Sequence, residues 1–232
     1  ALWAECDAIR CITLANRPER RAHAEAEFVR VGLKGRVDFS VEAPHPTDGK
    51  RGCFAAHQRV AQEALQAGAE RLLVFEDDVQ FLPHFGAPAA FRAAKFLRAH
   101  PEVQLFFLGH YPRAMAPFDD PSWPDVVRVR SMDAHAYVLS RQGMSAMANA
   151  VYDGRQIDVA FHYACQDACA LVPMVAVQRP FFSDTEGVKR STDWNDAKLA
   201  RERELYSSCS RQRVLRGAMA LRATLDDEIR NT

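Results

Sequence analysis

No stretch of this 232-residue sequence approaches the roughly 20 consecutive apolar residues that a bilayer-spanning helix needs. The opening residues, Ala1-Leu2-Trp3-Ala4-Glu5-Cys6-Asp7, lack the basic and apolar regions of a secretory signal. The chain therefore reads as soluble. Because it does not begin with Met, a trimmed targeting segment and peripheral membrane contact both stay open. An excess of one charge is missing too: Lys+Arg and Asp+Glu stand at 30 each, so nothing attracts nucleic-acid phosphate at long range. The six cysteines show no paired CxxC framework, which argues for free thiols in a reducing compartment, and a cytoplasmic location is the expectation. Cys165 and Cys169 share a face of a helix predicted over 158–171, where they read as buried small hydrophobes or, alternatively, as metal ligands. Internal repeats are absent. No Gly-rich phosphate loop or nucleophilic Asp motif follows the first apolar run, which weighs against nucleotidyltransferase or phosphatase chemistry.

What is present alternates in type. Residues 8–15 form a β-rich run stopped by Asn16-Arg17-Pro18, and Pro18 suits the first turn of a helix over 19–31. Val37, Phe39 and Val41 alternate with polar residues as a strand does, and residues 53–67 carry Ala56, Val60 and Ala64 at helical spacing before Gly68. Leu72-Leu73-Val74-Phe75 is a short continuous apolar run, the pattern of a strand covered on both faces. A helix over 88–98, a strand over 103–108 and a loop at Gly109-His110-Tyr111-Pro112 follow, with an irregular proline-rich segment to residue 125. Strands over 126–129 and 134–139 and a helix over 140–150 complete an α/β pattern with a mostly parallel sheet. From residue 195 the chain turns into a charged helical tail with Leu199, Leu205, Val214, Leu215, Met219 and Leu221 as its apolar stripe. Its arginines, including Arg216 and Arg222, either meet acidic partners or pair with neighbouring acids.

Glu76-Asp77-Asp78 sits immediately beyond the buried run. Three desolvated like charges repel by several kcal/mol unless a cation compensates them, and ligands bind outside the carboxyl ends of strands in open α/β sheets. Strand alternation predicts Glu76 and Asp78 on one side and Asp77 on the other. Hard oxygen ligands suit Mg²⁺ or Mn²⁺ carrying a diphosphate. Taken alone, the same triplet also reads as a solvated acidic turn.

The segment Gly52-Cys53-Phe54-Ala55-Ala56-His57, followed by a helix and by Leu72-Leu73-Val74-Phe75-Glu76-Asp77-Asp78-Val79, resembles the GCxxSH…EDD(V/I) signature of glycosyltransferase family 25. That family joins lipopolysaccharide-type sugar transferases with collagen galactosyltransferases. Further blocks resemble it in order: residues 12–21, 105–109, 134–143, Ile157-Asp158, and 177–184, so the likeness spans about 8–185. Ala56 replaces the signature Ser, and Gln104 stands near where an acid is expected.

The resemblance implies a single GT-A-like, Rossmann-type domain over residues 1–190, with 191–232 as a helical extension. It implies an inverting enzyme that moves a hexose, galactose or glucose, from a nucleotide diphosphate sugar, as UDP-hexose, to an acceptor hydroxyl on a glycan, lipopolysaccharide or protein. A scaffold that binds nucleotide sugar without turning it over is the alternative, which Ala56 keeps open. Glu76, Asp78 and His135 are the expected Mn²⁺ or Mg²⁺ ligands, and Arg17, His57, Asp77, Ser183 and Asp184 the expected donor contacts. Arg20 reads as a solvated first-turn residue or, like Arg17, as a contact to the diphosphate or nucleotide. Asp158 is the expected base for the acceptor hydroxyl, or else a helix N-cap, with Asp167 in reserve. His110 is the remaining histidine near a motif, and residues 187–191 read as a loop over the donor or a plain exit from the domain.

Overall fold

The structure is a computed structural model that describes residues 2–185, 187–189, 191 and 193–230, without the side chains of 188–189 and 214–230. A 3-10 turn over Leu2–Glu5 precedes β1 (Ala8–Leu14). Pro18 opens α1 (Pro18–Arg30), where its missing N–H has no helical partner to lose. After β2 (Asp38–Glu42), the Asp48 carboxylate caps α2 (Gly49–Gln66) by accepting the Arg51 N–H at 3.1 Å. The chain continues through β3 (Arg71–Glu76), β4 (Val79–Phe81), α3 (Ala87–Ala99), β5 (Leu105–Pro117) and β6 (Val126–Ser140). Ser140 caps α4 (Arg141–Ala148), and α5 (Ile157–Ala164), β7 (Ala168–Leu171) and β8 (Ala176–Gln178) follow. A short ladder of β9 (Phe182–Ser183) with β10 (Val188–Lys189) leads into the long α6 (Asp193–Arg230).

Six strands form the main sheet in the order β2-β1-β3-β6-β5-β7. β1 runs parallel to β2 and β3, and β5 to β7, while β6 runs against both its main neighbours. The expected α/β fold with a mostly parallel sheet holds. β3 shows why it forms: Leu73 and Phe75 enter the core beneath α1 and α3, while Leu72 and Val74 enter the one beneath α2, α4 and α5. All four are 0% exposed, each contributing about 1.5–3 kcal/mol of burial.

Three expectations change. The loop at 109–112 is strand: β5 and β6 form a long hairpin whose register shifts near Gly109, Tyr111 and Pro112. Bulges of this kind admit proline and glycine into a ladder. Residues 126–129 and 134–139 accordingly belong to one strand, broken locally by Asp133 at φ 69°. The helix over 158–171 ends at Ala164, because Cys169, Ala170 and Leu171 fill a buried place beside β5 and β6 that outweighs helical propensity. Cys165 and Cys169 therefore share no helix face, and all six cysteines are free. Within the expected extension, Lys198 and Glu202 on α6 are 0% and 2% exposed. The tail side chains Val214, Leu215, Arg216, Met219, Leu221 and Arg222, and Arg190 of the expected loop, lie outside the described residues. Among the described residues no helix is long and apolar enough to cross a membrane.

Candidate active site

β1 and β3 end side by side, with Ile12 opposite Glu76. The Asp77 N–H donates to the Ile12 carbonyl at 3.1 Å, and the Thr13 hydroxyl donates to Asp77 Oδ2 at 2.7 Å. Since the strand stops at Glu76, strict alternation ends there, and Asp77 and Asp78 both turn towards Arg20. Arg20 Nη2 lies 2.5 Å from Asp77 Oδ1 and 3.2 Å from Asp78 Oδ2. Its side chain is 12% exposed, which corrects the reading of Arg20 as solvated: α1 starts so close to the tip of β1 that its first turn lies over the acids. Burial lowers the Arg20 pKa, but the combined field of Asp78, Asp77 and Glu76 outweighs it and leaves the pKa raised. At Asp77 burial wins over Arg20 and Thr13, so its pKa is raised.

Glu76 points to a different set of partners. Its Oε1 is 3.2 Å from His57 Nε2, and the other nitrogen of that ring is 2.6 Å from the Tyr137 hydroxyl. Burial alone raises the Glu76 pKa; His57, with His135 and Arg20 behind it, more than reverses this and holds the carboxyl below its ordinary range. Gln178 enters from β8, whose antiparallel pairing sets it opposite Val79. Its Nε2 donates to Glu76 Oε2 at 3.4 Å and lies 3.5 Å from Asp78 Oδ2.

These groups line a cavity of about 610 Å³. Glu76, Asp77 and Asp78 line it together with Tyr111, Arg113, Asp133, Asp158, Ser183 and Asp184. Asp158 is 8% exposed in the first turn of α5, where Gln156, not Asp158, is the N-cap. Its carboxylate accepts the Val159 N–H at 2.7 Å and the Asp133 N–H at 3.2 Å. Burial exceeds the effect of these bonds and raises its pKa.

Other expected site residues are placed differently. Asp167 precedes β7, at the sheet edge opposite the carboxyl tips, and pairs with Arg128; it is remote from the cavity. His135 is fully buried on β6 with Nε2 3.3 Å from the Ala176 carbonyl, outside the cavity lining. Desolvation, with Lys198 adding to it, lowers its pKa to about 4. His110 is buried likewise, 3.6 Å from Glu202. Arg17 forms a two-pronged pair with Asp184 and does not line the cavity.

For a hard divalent cation the donor chemistry fits: Glu76 and Asp78 offer carboxylate oxygens in the cavity lining, both beside Gln178. Two carboxylates with substrate phosphates are a usual set for Mg²⁺-type ions. Cys53, His57 and Glu76 also place ligand atoms within 4.8 Å of one another, but the bonds of His57 to Glu76 and Tyr137 account for that cluster without an ion. Thr13, Asp133, Tyr137 and Gln178 are polar residues of the site that sequence reasoning left without a role, although Thr13, Tyr137 and Gln178 stand within blocks that carried the resemblance.

Residues 38–161 match the model of a family described as "Glycosyltransferase family 25 (LPS biosynthesis protein)". A human protein named inactive glycosyltransferase 25 family member 3 is 31% identical over 104 residues, covering 34% of this chain and 18% of that protein. A glycosyltransferase 25 family member of Drosophila pseudoobscura pseudoobscura is 30% identical over 128 residues, covering 44% of this chain and 20% of that protein. The chain thus spans about a fifth of the length of the curated relatives it matches. Among solved structures, UDP-glucose pyrophosphorylase complexed with UDP-glucose is similar at TM-score 0.44 and 8% identity, over 87% of this chain and 81% of that one. At that TM-score the likeness is too loose to carry a ligand or a reaction across.

Proposed function

Because the chain belongs to glycosyltransferase family 25, whose model matches more than half of its 232 residues, we propose that it transfers a hexose from a nucleotide diphosphate sugar to an acceptor hydroxyl, with inversion. Galactose and glucose are the donor sugars, carried on UDP, and the acceptor hydroxyl belongs to a glycan, a lipopolysaccharide or a protein. The observation that carries this reading is one cavity lined by Glu76, Asp78 and the buried Asp158.

The roles follow from placement. Glu76 and Asp78 would hold a Mn²⁺ or Mg²⁺, which when bound would supply positive charge for the leaving diphosphate. Arg20, fixed by Asp77 and Asp78, adds a second cation beside them without transferring a proton. Asp77 has its oxygens on Thr13 and Arg20, so it orients Arg20, and any contact with the donor is made from that fixed position. His57 and Gln178 hold Glu76 in place. Ser183 and Asp184, the latter anchored by Arg17, meet the nucleotide end of the donor. As the acceptor oxygen bonds to the anomeric carbon and the bond to the diphosphate breaks, the hydroxyl proton passes to Asp158. The raised pKa of Asp158 makes it a stronger base than an exposed carboxylate.

A non-catalytic reading has its own support in Ala56, a buried cavity residue where the family signature carries Ser, and in the printed name of the human relative. Calorimetry with UDP-galactose and UDP-glucose, with and without Mn²⁺, alongside nucleotide diphosphate release, separates the two. Release by the wild type that falls at least 100-fold in Asp78→Ala is the expected result. Binding without release supports the scaffold, and unchanged release in Asp78→Ala removes that residue from the mechanism.

A further inference from the structure

Lys198 is a lysine with 0% exposure, on a helix that lies outside the family-matched segment. Its ammonium is 2.5 Å from Asp133 Oδ2 on β6 and donates to Gln178 Oε1 on β8 at 3.0 Å. Both partners line the cavity. The Asp133 N–H holds Asp158 at 3.2 Å, and the Gln178 Nε2 reaches Glu76 at 3.4 Å and Asp78 at 3.5 Å. Holding Gln178 by its carbonyl oxygen leaves its amide nitrogen facing the acids, so the ammonium settles which way round the amide sits. Asp133 has a φ of 69°, a left-handed conformation uncommon for a residue other than glycine, and its N–H meets Asp158 only in that turn. α6 ties in a second time, since Asn195 Nδ2 donates to the Gln178 carbonyl at 2.7 Å.

We infer that Lys198 is a positioning residue that fixes Glu76 and Asp78 relative to Asp158, through Gln178 and Asp133. The inference rests on the proposed transferase reading for its kinetic consequence, while the positioning itself does not need a donor. Taking an ammonium fully out of water is costly, and the Asp133 carboxylate, the Gln178 amide oxygen and the Trp194 ring, 5.7 Å away, are among the groups that compensate it. A lysine serving the fold alone is replaceable by an apolar side chain once its charge partner is neutralised, without effect on the cavity. A lysine that orients Gln178 is not.

The experiment compares the wild type with Lys198→Met and Lys198→Met/Asp133→Asn; the double variant removes both buried charges and keeps a foldable protein where the single one fails. In donor-free protein, the Gln178 side-chain amide resonances of the wild type are expected away from free-glutamine values, and those of the double variant at them. In the release assay, the Mn²⁺ concentration for half-maximal turnover is expected to rise about tenfold, a quantity that loss of folded enzyme does not move, and kcat to fall about tenfold with donor KM within about threefold. A double variant with wild-type amide resonances or wild-type Mn²⁺ dependence overturns the inference. If the wild type releases no nucleotide, the transferase reading fails, and the amide resonances still decide the role of Lys198.

Discussion

Asp77 and Asp78 are 3% and 8% exposed, and one guanidinium stands between them. Removing it in Arg20→Ala leaves two buried carboxylates facing each other, and breaking such a pair costs about 3–5 kcal/mol. The Asp77 pKa, already raised by burial and restrained by Arg20, rises further in the variant. A carboxyl with a raised folded-state pKa binds more protons folded than unfolded, so stability falls as pH climbs through that value. Urea denaturation of Arg20→Ala is therefore expected to show a larger deficit at pH 8 than at pH 5, and a pH-independent deficit contradicts the pairing. Gly109 gives a second test at this scale: a Cβ there meets His135 Nε2 at 2.3 Å and the Ala176 carbonyl oxygen at 2.4 Å. The Ala176 backbone cannot yield as a side-chain tip does, so Gly109→Ala is expected to lower stability by about 3 kcal/mol in the same assay. The acids were legible in the sequence because three carboxylates directly after an apolar strand demand a compensating charge. Arg20 was not, since its partners lie 57 and 58 positions away along the chain and first-turn arginines are ordinarily solvated.

Among the elements, β1, α1, β2, α2, β3 and α3 follow from their apolar patterns, whereas the three-residue β4, set by its pairing with β8, was not read from the sequence. The β5–β6 hairpin is where pattern reading failed, as Pro112 and Pro117 lie within bulged or terminal parts of a strand. Likewise 157–164 and 168–171 differ in structure though both are apolar, and only their neighbours decide which is helix. The docking of α6 on β5 can be tested by titration. Desolvation pushes the Glu202 pKa up from 4.5 to about 7, against the Met174 N–H and Arg203. His110, facing it from β5, is lowered to about 3 by burial and the neighbouring His135, and stays neutral. Between about pH 4.5 and 7 the folded chain holds a proton on Glu202 that the unfolded chain has lost, so this residue's contribution declines as pH rises through that window. Glu202→Gln is expected to gain on the wild type between pH 5 and 8 by on the order of 2–3 kcal/mol in chemical denaturation, and a constant difference counts against a buried carboxyl on α6.

For the whole molecule, the family-matched stretch 38–161 is not a structural unit. β1 lies between β2 and β3, and β7 closes the far side of the sheet, yet both strands fall outside that stretch. A fragment of residues 38–161 is expected to lack a cooperative thermal transition and dispersed amide resonances, while the full chain shows both; a folded fragment contradicts this dependence of β2 and β3 on β1. Lys198 and Gln178, which complete the proposed cavity, also fall outside the matched stretch, so the best-marked sequence motifs account for the acids better than for what holds them. Distance along the chain also sets an order in time. As the polypeptide leaves the ribosome, Thr13 and Arg20 are already available when Glu76-Asp77-Asp78 emerge, whereas Gln178 and Lys198 arrive about a hundred residues later. The nascent protein thus carries its carboxylates beside Thr13 and Arg20 before Gln178 and Lys198 exist, and the hydrogen bonds that Gln178 makes to Glu76 and Lys198 must wait until α6 has been made.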